Sequence, residues 1–249
     1  MPEFVYPPVI LTAKAMFRVL DLRIRVEGAH HIPRAGAAVL ASNHVSYLDF
    51  IFCGLAALPA KRLVRFMAKQ EIFDHPVGGP LMRGMRHIPV DREAGDAAYQ
   101  AGLAALRAGQ VLGVFPEATI SRSFTVKEVK TGAARMASVA AAPLVPMAVW
   151  GPHRLWTKGR PRDFRTRHVP VLMMIGEPLH PRLGDDAGVV TGQLRERISE
   201  LLQRAQAEYP ASQTRQDDRW WLPAHLGGTA PTPQRAAELD ARGGPSKAG

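Results

Sequence analysis

"AAVLASNHVSYLDFIFCGLAAL", residues 37 to 58, places a polar stretch between a short apolar run and a longer one. The first run is rich in Ala, Val and Leu, which is typical of a buried strand, and the second is long enough for a helix. His44 and Asp49 lie in the polar stretch, five residues apart. The whole segment therefore predicts a strand, a loop and a helix in succession, the unit from which α/β proteins are built.

The polar stretch has two interpretations. Ser46 followed by Asp49 fits a capping box, in which the hydroxyl and the carboxylate bind free N–H groups at a helix start. That interpretation leaves His44 unexplained. On a regular helix, residues five apart point about 140° away from each other, but if Ser46 caps the helix, His44 precedes it and the Asp49 carboxylate can reach its ring. Such a pair fixes the tautomer and leaves the other ring nitrogen free as a general base.

Working outward, short apolar runs alternate with helical patterns over most of the chain. The predicted strands are "LRIRVEG", "AAVLASN", "RFMAK", "RHIPVDR", "VLGVFPE", "PLVPMAVW" and "VLMMIGEPL". Helices are predicted to begin near Leu48, Gly79, Ala94, Thr131 and Val189. This alternation predicts an α/β fold, with a single layered domain of a mixed sheet flanked by helices over residues 22–208.

The N-terminal segment, residues 1–21, has the pattern of an amphipathic helix. Its apolar residues follow helical spacing while Lys14 and Arg18 share another face. Such a helix either packs on the core or lies in a membrane interface, and we expect residues 1–21 to dock on a membrane. No transmembrane helix is predicted, because the longest uncharged run, residues 136–152, contains Pro143, Pro146 and Gly151.

The C-terminal segment, residues 209–249, is rich in Pro, Gly, Ala and charged residues. This composition predicts an irregular or disordered tail. "RWWLPAH" interrupts it, and Trp220 and Trp221 either pack back on the domain or lie at a lipid interface.

The charge is strongly positive, with 32 Lys and Arg against 22 Asp and Glu, a net charge of +10. An anionic partner is expected: a membrane surface, a phosphorylated substrate or a nucleic acid. We find no helix-turn-helix, zinc or aromatic-basic signature, so no nucleic-acid partner is predicted. The single cysteine, Cys53, excludes an internal disulfide and favours a reducing, cytoplasmic setting. Cys53 lies in an apolar run and is expected to pack as a small hydrophobic residue.

Two further motifs follow predicted strands. In "VFPEATIS", residues 114–121, Glu117 and Thr119 stand at the carboxyl end of a strand, the edge at which ligands bind in open α/β sheets. The same residues also suit an ordinary turn. In "GMRHIPVDR", Arg92 either binds a phosphate with its guanidinium or pairs with Asp91 or a neighbouring acid.

Taken in order, four stretches resemble the glycerolipid acyltransferases, the family that includes 1-acylglycerol-3-phosphate acyltransferase. "NHVSYLD" resembles the family's N-H-x-x-x-x-D signature, "GMRHIPVDR" its G-x-I-x-I-D-R block, "VFPEATIS" its F-P-E-G-T-R-S block, and "PLVPMAV" its apolar V-P-hydrophobic block. The resemblance runs from about residue 25 to residue 180. One block alone is weak, but four in the same order are specific.

The resemblance implies transfer of a fatty acyl group from acyl-CoA to lysophosphatidate or a related lipid acceptor, with no metal and no resident cofactor. His44 then acts as the general base and Asp49 orients its ring. Glu117 and Thr119 help to hold the acceptor, and Arg92 binds its phosphate. We expect such an enzyme on the cytoplasmic face of the cell membrane, as a peripheral or monotopic protein on an anionic surface.

Two positions depart from the family pattern. The family's Gly is Ala118 here, and the Arg that follows, which is expected to bind the acceptor phosphate, is Ile120. Arg122 and Lys130 are nearby cations that can take its place, although surface solvation also explains both. A changed phosphate site leaves other acceptors open: glycerol 3-phosphate, another lysophospholipid or a glycolipid.

Two other classes of protein use the same residues. A metal hydrolase can combine His44 and Asp49 with His30, His31 or His87, although the spacing matches no known zinc pattern. A lipid carrier of the same fold needs no general base.

Overall fold

The computed structural model describes residues 3–91, 95–210 and 218–242. Seven strands form a single mixed sheet: β1 Arg23–Glu27, β2 Ala38–Ser42, β3 Val64–Lys69, β4 Ile88–Val90, β5 Val111–Val114, β6 Leu144–Trp150 and β7 Pro170–Ile175. The described helices are α1 Tyr6–Val19, α2 Asp49–Ala56, α3 Gln70–Asp74, α4 Gly78–Gly84, α5 Gly95–Arg107, α6 Gly132–Val139, α7 Ala187–Ala207 and α8 Pro233–Arg242. The predicted mixed α/β sheet is confirmed, and each predicted strand contains or overlaps an observed one.

The sheet order is β1-β7-β6-β2-β5-β3-β4. Every adjacent pair is parallel except β6 and β7, which are antiparallel. Strand β2 lies at the centre, with β5 on one side and β6 on the other. Because these three strands are parallel, the loops that follow them emerge at the same edge of the sheet.

Helices cover both faces of the sheet. Alternate residues of β2 point to opposite faces: Leu40 belongs to the core under α1 and α2, and Val39 to the core under α5, α6 and α7. Since all five residues of β2 are buried, its sequence is nearly continuous in apolar residues and does not alternate.

Helix α1 packs on the domain along one side. Tyr6 and Phe17 are buried, the Tyr6 hydroxyl donates to Val64 O at 2.7 Å, and the Phe17 ring stacks on Phe52. The opposite side exposes large apolar side chains, with Leu11 70% and Val19 71% exposed. The core-packing interpretation therefore holds for one face of α1, while the other face is open to a further contact.

The C-terminal segment combines irregular chain with one helix. Residues 218–232 are mostly irregular, as expected, but α8 was not predicted from the sequence. Trp221 is fully buried against Trp150, which confirms its packing interpretation. The rest of the predicted tail, in residues 211–217 and 243–249, lies outside the described residues, and the division at residues 21 and 208 stays a prediction.

Candidate active site

The candidate site lies at the carboxyl edge of the three central strands. Residues 43–48 follow β2, residues 115–131 follow β5, and residues 151–169 follow β6. Asn43 ties the first of these loops to β6, since its side chain accepts from Val149 N–H at 2.7 Å and donates to Val149 O at 3.1 Å. The parallel arrangement therefore brings together segments that are about a hundred residues apart in the sequence.

The structure brings His44 and Asp49 together. His44 lies in the loop before α2, and its Nδ1 is 3.0 Å from Asp49 Oδ2. The same Asp49 oxygen accepts the main-chain N–H groups of Val45 and Ser46, both at 2.7 Å. Because this oxygen accepts from two N–H groups already, Nδ1 is placed to donate as well, which leaves His44 Nε2 with its lone pair free.

The capping-box interpretation holds only in part. Helix α2 begins at Asp49 with Leu48 as its N-cap residue, so Ser46 is not the cap. The Asp49 carboxylate does accept from Ser46 N–H, but Ser46 Oγ accepts from Leu48 N–H at 3.0 Å and donates to Trp156 O at 2.7 Å. Residues 46–48 thus form a turn before the helix, and Asp49 serves both the turn and His44.

Asp49 is fully buried, with none of its surface exposed. Burial raises the pKa of Asp49, and the hydrogen bonds from His44, Ser46 and Val45 oppose that effect. The second oxygen, Oδ1, is buried without a hydrogen-bond partner among the described residues. All the hydrogen bonds to this carboxylate among the described residues are therefore made to Oδ2, on the side of the imidazole.

Cys53 lies one helical turn after Asp49 and is buried. Burial, followed by the Asp49 charge, raises the pKa of the Cys53 thiol far above its usual range. Because the reactive form of cysteine is the thiolate, Cys53 is a packed core residue, in line with its position in an apolar run.

Glu117 holds the β2 loop from the neighbouring strand. Its Oε1 accepts His44 N–H at 2.8 Å and its Oε2 accepts Lys127 N–H at 3.1 Å. The side chain is 6% exposed, and burial raises the pKa of Glu117 to about 7, against the opposing effect of those two hydrogen bonds. The Phe115 ring, two residues earlier, stacks on the His44 ring with 4.3 Å between centroids. Backbone and ring of His44 are both fixed by residues that follow β5.

The two departures from the family pattern have visible consequences. Ala118 has φ +60, a left-handed conformation that suits glycine and costs other residues about 1–2 kcal/mol. Ile120 is 5% exposed, so this position contributes an apolar side chain to the packing. Any cation that binds an anion here comes from other positions in the chain.

Three such cations surround one carboxylate at the site. Asp240 of α8 forms ion pairs with Lys158 Nζ at 2.7 Å, Arg122 Nε at 2.9 Å and Lys127 Nζ at 3.3 Å. Burial by itself raises the pKa of Asp240, but the hydrogen bonds from these cations outweigh it, and the net shift is downward. Lys127 Nζ also donates to Thr119 Oγ1 at 2.6 Å. The predicted Thr119 and Arg122 therefore belong to one polar cluster, together with two lysines that the sequence analysis missed.

Of the two other predicted cations, the described one, Lys130, lies outside that cluster. Lys130 is exposed, its main-chain N–H donates to Pro116 O at 3.0 Å, and its side chain does not pair with Asp240. Arg92 lies outside the described residues, so its predicted role stays a prediction.

The histidines considered for a metal site are engaged elsewhere. His87 Nδ1 accepts Phe66 N–H at 3.1 Å, and burial, with the Arg65 charge, lowers the pKa of His87 to about 4. His30 and His31 lie ring against ring, with 4.1 Å between centroids. Within the described ranges, no three His, Cys, Asp or Glu side chains are grouped as metal ligands.

An apolar pocket lies between α1 and α2 beside this site. It is partly open to solvent and has a cavity volume of about 50 Å³, and its lining includes Ile10, Phe17, Phe50, Leu55 and Phe66. The Phe66 ring stacks on Phe115, which in turn stacks on His44. A continuous row of aromatic rings thus connects the pocket to the imidazole.

Comparison with known proteins identifies the family. The family model described as Acyltransferase matches residues 23–150, just over half of the chain. The chain belongs to the acyltransferase family. The matched region of this acyltransferase contains His44, Asp49, Glu117 and Arg122, and it ends with β6.

Two named relatives indicate which group of acyltransferases this chain resembles. This acyltransferase is 30% identical over 201 residues to a 1-acyl-sn-glycerol-3-phosphate acyltransferase of Bacillus subtilis, covering 76% of this chain and 94% of that protein. It is 31% identical over 167 residues to an enzyme of the same name from Limnanthes douglasii, covering 65% of this chain but only 56% of the plant protein. The recognised resemblance to this group of acyltransferases is confirmed.

A solved structure shares the fold. The crystal structure of the 1-acyl-sn-glycerophosphate acyltransferase PlsC from Thermotoga maritima superposes with a TM-score of 0.69, covering 82% of this chain and 80% of that one. The sequences are 22% identical, so the likeness concerns the fold. In the described part of the chain, no helix of this acyltransferase is both long enough and apolar enough to cross a bilayer.

Proposed function

We propose that the protein transfers a fatty acyl group from an acyl thioester to the free hydroxyl of 1-acylglycerol 3-phosphate, forming phosphatidate for phospholipid biosynthesis. The observation that carries this proposal is the His44–Asp49 pair, with 3.0 Å between Nδ1 and Oδ2. When Nδ1 donates to Asp49, Nε2 is left to act as the base. The names of the Bacillus subtilis and Limnanthes douglasii relatives support the choice of acceptor.

The proposed mechanism is a direct transfer. His44 Nε2 removes the proton from the acceptor hydroxyl as that oxygen attacks the thioester carbonyl carbon. The tetrahedral intermediate then expels the thiolate, which takes the proton back from the imidazolium. Asp49 stabilises the imidazolium and keeps the ring in place. No acyl-enzyme forms, so Cys53 takes no part, and the reaction as proposed uses neither a metal nor a resident cofactor.

The acceptor is proposed to bind at the loop after β5. Glu117 fixes that loop against His44, and Thr119 and Arg122 lie in the polar cluster beside it. A guanidinium suits a phosphate because it donates two parallel hydrogen bonds. We propose Arg92 and Lys130 as further ligands of the acceptor phosphate on the grounds of sequence alone.

The apolar pocket between α1 and α2 is proposed to hold an acyl chain. Its lining is almost entirely hydrophobic, which suits a hydrocarbon chain, and Phe66 and Phe115 connect it to His44.

The substrate argues for work at a membrane surface. A long acyl chain gains about 0.8 kcal/mol for each methylene buried in a bilayer, so acceptor and product stay there. We propose peripheral or monotopic binding at the cytoplasmic face, through the exposed side of α1 and the net charge of +10. Anionic lipids attract each nearby Lys or Arg with about 1 kcal/mol.

An acyl-transfer assay with the purified protein tests the proposal. Radiolabelled palmitoyl-coenzyme A and the corresponding acyl carrier protein thioester are each offered with lysophosphatidate, glycerol 3-phosphate or other lysophospholipids. We expect labelled phosphatidate, and His44→Ala should lower the rate by about three orders of magnitude, since it removes the general base. His168→Ala is the matched control, because His168 also pairs with an aspartate but is exposed.

The outcomes separate the reaction from the substrates. Label in another lipid would keep the mechanism and change the acceptor, and the preferred thioester identifies the donor. Transfer that His44→Ala leaves intact would refute His44 as the general base. No transfer to any acceptor would refute the proposed function and favour a lipid carrier.

A further inference from the structure

The cluster around Asp240 has more positive charge than its carboxylate can neutralise. Arg122, Lys127 and Lys158 contribute +3 and Asp240 contributes −1, which leaves +2. Within residues 3–91, 95–210 and 218–242, no other carboxylate lies at ion-pair distance from these three cations. Their side chains are 20–29% exposed, so solvent screens the surplus only in part. A dianion with several acceptor oxygens would match the three cations better than one carboxylate does.

The cluster is connected to the His44 loop by hydrogen bonds on both sides. The main-chain N–H of Lys127 binds Glu117, whose other oxygen holds His44 N–H. Lys158 follows Thr157, whose hydroxyl donates to Val45 O at 2.6 Å. An anion held by these cations is therefore bound to the two loops that flank the His44 loop.

The position of the Arg122 guanidinium requires a glycine at residue 159. Gly159 has φ +80, and a Cβ atom added there would lie 2.3 Å from Arg122 Nη1. The chain next to Lys158 thus passes so close to the guanidinium that no side chain fits between them.

The carboxylate in the cluster comes from a weakly attached helix. Ala236 is the buried residue of α8, and the other nine residues of the helix are partly or fully exposed. A helix of ten residues is marginal on its own, so α8 depends on these few contacts. It also lies beyond the region that the family model matches, which ends at residue 150. Asp240 is therefore held by the cations more than it is held by its own helix.

We propose that Arg122, Lys127 and Lys158 form a binding site for a phosphate monoester, and that the Asp240 carboxylate competes with this ligand for the three cations. The proposal rests on the proposed function in one respect, because it is that function which brings a phosphorylated substrate beside His44. Two sources carry the same chemical group: the glycerol phosphate of the acceptor and the ribose 3′-phosphate of coenzyme A. Binding of either one displaces Asp240 and releases α8.

Calorimetric titration with two small probes tests this proposal without any turnover. The probes are glycerol 3-phosphate and adenosine 3′-phosphate, added to the full-length protein and to Asp240→Asn. Removing the competing charge should tighten the binding of at least one probe by about tenfold. The probe whose binding tightens identifies the source of the phosphate.

Matched variants guard against indirect effects. Glu238→Gln removes an acid from the same helix, but Glu238 is exposed and pairs with Arg235, so binding should stay within about twofold of the wild type. Lys158→Gln should weaken binding by about tenfold, because it removes a ligand of the phosphate. Ala236→Gln detaches α8 while it keeps the Asp240 charge, and it should tighten binding as Asp240→Asn does.

A purely structural role for Asp240 predicts a different pattern. In that case Asp240→Asn and Ala236→Gln lower stability and leave the affinity for both probes unchanged, and the inference is overturned. The proposed function has a separate test, since it would be refuted by the absence of transfer to any acceptor. Tighter phosphate binding in Asp240→Asn without any transfer would therefore support this inference and refute only the proposed function.

Discussion

Two buried carboxylates hold the His44 loop in place. Asp49 accepts the N–H groups of Val45 and Ser46, and Glu117 accepts that of His44, so three consecutive main-chain donors point at acids. Burial raises the pKa of both acids. A buried acid of this kind lowers the free energy of unfolding when it is ionised, because water solvates the charge better in the unfolded chain. The loop geometry is therefore maintained at a cost to stability.

The cost at Glu117 predicts a measurable pH dependence. Its pKa is raised from 4.5 to about 7, so between these values the folded protein keeps a proton that the unfolded chain has released. The stability from this group is full below pH 4.5 and is lost as the pH rises through 7. Between pH 5 and pH 8, the wild type should lose about 2–3 kcal/mol of unfolding free energy that Glu117→Gln does not lose.

Urea unfolding at the two pH values, followed by tryptophan fluorescence, checks this prediction. The comparison between the proteins cancels the other titrating groups. Glu128→Gln is the control, since Glu128 lies in the same loop but is exposed, and it should keep the wild-type difference. The prediction is wrong if Glu117→Gln depends on pH as strongly as the wild type.

At the scale of elements, the sequence predicts those strands and helices whose buried residues form an apolar pattern. Strand β6 is buried at all seven positions and β7 at all six, and both appear as apolar runs. Helix α8 has no such signature, because one small buried residue, Ala236, leaves no apolar stripe to detect. The short helix α3 was missed for lack of length.

The candidate site was predictable from the sequence only where its residues stand in a local motif. His44, Asp49 and Glu117 stand in local motifs that can be recognised in a single stretch of sequence. Lys127 and Lys158 carry no such motif: they meet only because β5 and β6 flank β2, and each looks like an ordinary surface lysine. Asp240 lies 113 residues after Lys127 and 82 residues after Lys158, separations at which no pattern of spacing is informative.

Helix α1 has a packed face and an exposed apolar face, and we propose that the exposed face binds the membrane. Leu11 and Val19 are exposed, whereas Phe17 is 3% exposed and stacked on Phe52. Replacing both exposed residues by serine should weaken binding to anionic vesicles about tenfold, because an interface buries such side chains only partly. The free energy of unfolding should stay at the wild-type value. Sedimentation with vesicles and urea unfolding measure the two quantities.

The other face of α1 supplies the control for that experiment. Phe17→Ala should lower the free energy of unfolding by about 3–5 kcal/mol through the cavity that it leaves. Vesicle binding by the folded fraction should be unchanged. Wild-type vesicle binding by Leu11→Ser/Val19→Ser would leave α1 as a packing element alone.

At the scale of the whole molecule, part of the positive charge is concentrated at one edge of the sheet. Residues 157–168 contain five Lys and Arg and one Asp, and this loop joins β6 to β7 at the carboxyl edge of the sheet. Phe164, in the same loop, is 39% exposed. Cations around an exposed aromatic ring are typical of a surface that contacts a membrane. We therefore predict that the edge that carries the candidate site faces the bilayer when the protein binds a membrane.

Two pairs of arginines test that orientation, because the two double variants have the same net charge. Arg165 and Arg167 are exposed in the cationic loop, while Arg34 and Arg107 are exposed at the opposite edge, just before β2 and β5. Replacing Arg165 and Arg167 by glutamine removes about 2 kcal/mol of attraction to an anionic surface, or about 30-fold in affinity. The same change at Arg34 and Arg107 should have an effect several times smaller, since these side chains lie beyond the screening length of about 10 Å. Binding to vesicles with phosphatidylglycerol at low salt measures both variants, and the difference between them should shrink as salt is added. Equal losses would mean that the net charge alone governs binding, and that the molecule approaches the membrane without a preferred edge.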